Sequence, residues 1–111
     1  MNASNGQART LPGLIRTISA VILDSRGHVL LVRKRGSDTF LQPGGKPAPG
    51  EAPLETLARE LAEELGVAMN RSDARCLGQF EDVAVHEAGH RIRTETWLVT
   101  IAGKPGAQAE I

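Results

Sequence analysis

Residues 45–67 read GKPAPGEAPLETLARELAEELGV, and the reading of this stretch decides how the rest of the chain is understood. Its centre has helical periodicity. With about 100° of rotation per residue, Leu54, Leu57, Ala58, Leu61 and Leu65 fall in one stripe, while Glu60, Glu63 and Glu64 fall on a separate arc. Pro53 suits a first helical turn, Glu51 and Glu55 favour the positive end of the helix dipole, and Gly66 stands where a left-handed stop belongs. The spacing predicts a helix over residues 52–65, with one apolar face and one acidic face.

Carboxylates at i,i+3 and i,i+4 repel, so Glu60 with Glu63 and Glu60 with Glu64 each cost a bare helix about 0.2 to 0.5 kcal/mol. An acidic helix face ordinarily marks solvent. A hard divalent cation reverses the sign of the repulsion, because Mg²⁺ takes oxygen ligands and is commonly held by one or two carboxylates together with substrate phosphates. The triad therefore suits Mg²⁺ or Mn²⁺.

The flanking residues sharpen this. Gly45, Glu51, Arg59, Glu60, Glu63, Glu64 and Gly66, with aliphatic Leu61 and Val67, reproduce the pattern G-x5-E-x7-R-E-U-x-E-E-x-G-U, where U is a large aliphatic residue. At average amino-acid usage such a match arises by chance on the order of once in ten million chains of this size, which removes coincidence as a rival. The stretch resembles the Nudix box, and the resemblance reaches upstream to Leu30-Leu31-Val32-Arg33 and Gln42-Pro43-Gly44-Gly45. It implies an α/β/α sandwich with a mixed β-sheet, in which the box forms loop, helix and loop. It also implies a hydrolase of a nucleoside diphosphate linked to some other group X. Carried over by position, Glu60 and Glu64 are the principal metal ligands, Glu63 is a further or water-mediated ligand, and Gly45 offers a carbonyl. Glu51 contributes from outside the direct ligand set, Arg59 orients a box carboxylate, and Glu60 is the candidate acceptor of the attacking water's proton.

Working outward, β-branched and aliphatic residues cluster over residues 17–23 and 28–32 on either side of Asp24-Ser25-Arg26-Gly27, which predicts a hairpin. A short strand is expected over residues 40–42, and further strands over 75–85 and 91–101. Cys76 reads as a small buried hydrophobe within the first of these last two, and Trp97 as core. Arg33, Lys34 and Arg35 end the second predicted strand, where alternation lets only part of the trio face one pocket. Arg33 and Lys46 are the candidate phosphate contacts, and Phe40 is a candidate for stacking on a base.

Residues 86–90 spell HEAGH, the H-E-x-x-H pattern of zinc metalloproteases. That chemistry needs both histidines on one helical face, whereas the neighbouring residues read as strand and Gly89 weakens a helix. The protease is a remote alternative, and a non-catalytic Nudix-like nucleotide-binding module is the nearer one.

The 111 residues fit one domain, expected over residues 14–111 behind a loose polar leader at residues 1–13. Thirteen basic and 13 acidic residues cancel, so no stable nucleic-acid or membrane partner held by bulk charge is expected. The lone cysteine and the absence of a signal-peptide pattern or an apolar run of roughly 20 residues make a reducing cytoplasm the expected setting. Compared with specialised branches of the family, the chain has no Tyr and no Pro between Pro53 and Pro105. This disfavours diadenosine polyphosphates and ADP-ribose and leaves ordinary or oxidised (deoxy)nucleoside triphosphates as the expected substrates. Family members also carry a further strand and helix after the element at residues 94–101. Residues 103–110 are expected to be the linker toward them, and the apolar surface left uncovered is expected to be buried in a homodimer or by further chain.

Overall fold

Alternation in LIRTISAV puts Ile18 and Ala20 on one face and Thr17 and Ser19 on the other, and this stretch forms β1, Leu14–Val21. The computed structural model describes residues 13–83, 91–108 and 111, and β1 lies within its four-stranded mixed sheet. β2 is the two-residue Gly44–Gly45, α1 is Pro53–Leu65, β3 is Ala68–Val83 and β4 is Arg91–Ala102. The order across the sheet is β2-β1-β4-β3, with β1 parallel to β4 and the other neighbours antiparallel. A parallel pair needs a crossover connection, and α1 lies within it.

The helix begins one residue after its expected start. Ala52 is its N-cap and has no side-chain oxygen, but its own N–H donates to Glu55 Oε1 at 2.8 Å, which is half of a capping box. At the other end Gly66 adopts φ 68° and ψ 27°, a left-handed conformation that a side chain would strain, and its N–H donates to the Ala62 carbonyl. Leu57, Leu61 and Leu65 are buried in one cluster with Ile18, Ala20, Ile22, Val32, Val67 and Val99. The opposite face of the sheet carries Thr17 and Ser19, bonded through their hydroxyls to Thr94 and Thr96 of β4 at 2.8 and 3.0 Å.

Helix ends leave carbonyls without partners, and here later residues supply them. Gly106 N–H donates to the Leu65 carbonyl and Gln108 N–H to the Glu64 carbonyl, each at 3.0 Å, while Ile111 packs against the core. The segment expected to be a linker thus closes the end of α1.

Several other expectations are corrected. β3 starts seven residues before the expected position, ahead of the polar run Asn70-Arg71-Ser72-Asp73. Asn70 Oδ1 does accept from Ser72 N–H and Oγ, and the register with β4 shifts between Asn70 and Arg75, so a local turn is folded into a continuing strand. The hairpin over residues 17–32 is reduced to its turn and single bridges. Leu23 pairs with Val29, but Val32 already pairs with Leu41, and this change of partner within three residues prevents a ladder. Residues 40–42 likewise form only that bridge. Cys76 is exposed on β3, an edge strand that none of the described residues covers there. Trp97 is part-buried against the core, with Nε1 donating to Glu95. Residues 1–12 and the HEAGH segment at 86–90 lie outside the described residues; the flanking Val83 and Arg91 are antiparallel partners.

Replacing Leu61 by Ala should cost about 2 to 5 kcal/mol, since it empties a fully buried position. Cys76→Ser should stay within about 0.5 kcal/mol. Urea unfolding followed by Trp97 fluorescence measures both, and equal losses would contradict this placement of core and edge.

Candidate active site

Gly44 and Gly45 bring the acidic face of α1 against the sheet. Gly44 has φ 145°, and a Cβ there would run into the Ile18 carbonyl and the Ser19 Cα of β1. A Cβ on Gly45 would overlap the Glu60 carboxylate. On the other side of this contact Gly44 N–H donates to Glu64 Oε1 at 3.1 Å. Both carboxylates are therefore seated against bare backbone.

Arg59 organises the acids around it. Its Nε and Nη2 form a bidentate pair with Glu51, both at 2.8 Å, its Nη1 reaches Glu60 Oε2 at 2.8 Å, and its Nη2 also bonds the Lys46 carbonyl. Glu51 accepts in addition from Ala48 N–H and from the hydroxyl of fully buried Thr56. With four hydrogen bonds on two oxygens, Glu51 anchors Arg59 and the loop before the helix. The Arg59 guanidinium holds its carboxyl down at about 2. Glu63 is 59% exposed and reaches Arg59 only at 3.4 Å.

Glu64 behaves in the opposite way. Burial, reinforced by the neighbouring Glu60 and opposed by the Gly44 N–H and by Lys34, pushes its carboxyl up to about 7. Glu64 thus holds its proton close to neutral pH chiefly because its carboxyl is partly buried.

Glu60, Glu64, Gly45, Lys46 and Phe40 line one cavity of about 790 Å³, a size ordinary for small-molecule sites. The cation contributed by the basic trio is Lys34. Arg33 does not line that cavity; it donates to the Ser37 carbonyl and stands 5.8 Å from the ring centroid of Phe40, which does. Phe40 is 63% exposed, at the rim. No spacing in the sequence marks Thr56 or Thr94, and Gln42 stands out there only within Gln42-Pro43-Gly44-Gly45, with no role attached. A separate cavity of about 410 Å³ beside Leu23, Val29 and Ile101 holds none of the box carboxylates.

Comparison with known proteins agrees with this arrangement. The NUDIX domain model matches residues 13–110, and the chain belongs to the Nudix family. It is 33% identical over 88 residues to the RNA pyrophosphohydrolase of Yersinia enterocolitica, covering 78% of this chain and 49% of that protein. The chain thus spans about half the length of the curated relatives it matches. Among solved structures, the MutT NUDIX hydrolase from Burkholderia pseudomallei shares the fold with a TM-score of 0.74 at 24% identity, covering 86% of this chain and 74% of that one. The E. coli ORF135 protein gives 0.69 at 27% identity, covering 88% and 69%.

The two shifted carboxyls predict opposite pH behaviour. Glu51 is depressed from an ordinary 4.5, so its contribution to stability is present above that value and is lost as pH falls toward about 2. Glu64 is raised from the same value, so its protonated fold is favoured below 4.5, and that advantage is lost as pH rises through about 7. In metal-free protein, Glu64→Gln should therefore raise the melting temperature at pH 8 but not at pH 4. Glu51→Gln should lower it at pH 7, by an amount that shrinks in acid. Thermal melts across this range decide, and a Glu64→Gln variant that gains nothing at pH 8 would refute the buried assignment.

Proposed function

We propose that the chain is a Mg²⁺-dependent pyrophosphohydrolase, with Mn²⁺ able to substitute, acting on a nucleoside diphosphate linked to X. Our preferred substrate is an ordinary or oxidised (deoxy)nucleoside triphosphate, cleaved to a nucleoside monophosphate. The observation that carries this reading is the Glu60 and Glu64 pair facing a cavity that also holds Lys34 and Lys46. The pair fits a hard cation: burial holds a proton on Glu64 near neutrality that a cation could displace, and every donor is oxygen. Among the described residues no three acidic, His or Cys side chains converge as a finished cage. Mg²⁺ keeps waters and takes phosphate oxygens as ligands, so one or two carboxylates are enough to hold it beside a substrate.

Glu60 and Glu64 would hold the cation, with Glu63 acting through water and Gly45 through its carbonyl. A bound cation would offset phosphate charge and make coordinated water more acidic. Lys34 and Lys46 meet the phosphates from the cavity wall. Arg59, fixed by Glu51, keeps Glu60 facing Gly45, and in this reading Glu60 takes the proton of the attacking water.

A second reading is that the nucleoside triphosphate is the 5′ end of an RNA chain, from which water releases pyrophosphate and leaves a 5′-monophosphate. It is favoured by the RNA pyrophosphohydrolase of Yersinia enterocolitica.

Activity should require Mg²⁺ or Mn²⁺, and EDTA should abolish it. Glu60→Gln and Glu64→Gln should each lower kcat by on the order of tenfold to a thousandfold or more, at about 1.36 kcal/mol per tenfold. The assay offers nucleoside triphosphates and a 5′-triphosphorylated oligoribonucleotide side by side. Preference for the oligonucleotide selects the second reading, full turnover in both glutamine variants would reject the acid pair, and nucleotide binding without turnover would mean a binding module.

A further inference from the structure

The hydroxyl face of the sheet holds an arrangement that the acidic end of the cavity does not use. Ser19 and Thr96, only 8% and 7% exposed, are joined by their hydroxyls at 3.0 Å. Ser19 Oγ also donates to Gln42 Oε1 at 3.0 Å. This bond turns the Gln42 oxygen inward and its amide nitrogen outward. Among the described residues that nitrogen has no hydrogen-bond partner. A donor fixed by a buried hydroxyl pair and left open is suited to read an acceptor on a ligand.

Gln42 occupies the junction of two spaces. It lines the cavity that contains Glu60 and Glu64, and it lines a second cavity of about 420 Å³ walled by Val21, Leu77, Phe80 and Thr94. Thr94 borders both as well. Phe80 and Leu77 are 57% and 50% exposed, an apolar surface open to a flat ring. A nucleotide whose phosphates meet the acids and lysines would lay its base across Gln42 toward that surface, where stacking on an aromatic ring is favourable for any base.

Building on the nucleotide reading of the same cavity, we propose that Gln42 is a specificity-determining residue that donates from Nε2 to a carbonyl oxygen on the base, with the base resting against Phe80. Guanine O6 and uracil or thymine O4 are acceptors at the exocyclic position where adenine and cytosine carry amino donors. Guanine and uracil nucleotides are therefore preferred, and an amino group at that position meets the Gln42 amide donor to donor.

The test is a titration of ¹⁵N-labelled protein in Mg²⁺ with GMP, UMP, AMP and CMP, none of which carries a pyrophosphate linkage to cleave. The Gln42 side-chain amide signal, assigned by its loss in Gln42→Leu, should move with GMP and UMP, which should bind about tenfold more tightly than AMP and CMP, the scale of one net hydrogen bond. Gln42→Leu should erase the preference. Gln42→Glu, which keeps an acceptor for Ser19 but presents an acceptor outward, should shift it toward AMP and CMP. Equal affinities, a stationary Gln42 signal, or no binding of any monophosphate overturns the proposal. The preferred binding pattern without hydrolysis of any triphosphate would instead leave Gln42 as a base reader and overturn the catalytic reading.

Discussion

For the acidic face of α1 to meet the sheet, positions 44 and 45 must be free of side chains. β2 is only two residues long, yet it fixes the distance between helix and β1: Gly44 presses against the Ile18 carbonyl and Gly45 against the Glu60 carboxylate. The Gly44 N–H then satisfies one oxygen of Glu64. A methyl group at either position would need backbone or a part-buried acid to move, and the helix anchored through Leu57 and Leu61 has little freedom to do so. The core packing and the placement of the acids are consequences of the same close approach.

That approach creates an electrostatic problem, which the chain solves for only some of its acids. Glu51 and Glu60 share Arg59, whose own ionisation is strengthened by both, so their negative charge is matched at 2.8 Å. Glu64 has no such ion pair among the described residues, and burial holds its proton close to neutral pH. The division is informative. A helix selected for stability alone would exchange Glu64 for an apolar or amide side chain, so the retained mismatch marks a position kept for something other than folding.

Much of the fold was legible because its strongest signals are local. The leucine stripe, Pro53 and Gly66 delimit α1 to within one residue, and β-branched runs locate β1 and β4. The failures have a common origin in tertiary pairing. Whether residues 28–32 extend a ladder depends on Leu41, whether residues 70–73 interrupt β3 depends on β4, and whether Cys76 is covered depends on which strand is the edge. The closure of α1 by Gly106 and Gln108 is equally invisible, since backbone N–H groups leave no trace in side-chain identity.

The two ends of the cavity differ in the same way. Gly45, Glu51, Arg59, Glu60 and Glu64 come from one continuous stretch whose spacing is imposed by a loop and a helix, so chemistry that requires them leaves a fixed pattern. The hydroxyl floor joins Ser19 to Thr96 across 77 positions and to Gln42 across 23, through hydrogen bonds that many combinations of small polar residues could make. No spacing constrains the Ser19 and Thr96 pair, because the sheet register brings it together. A reaction centre built on one helix is consequently written into the order of residues, whereas a recognition surface built across strands becomes readable only once the strands are paired.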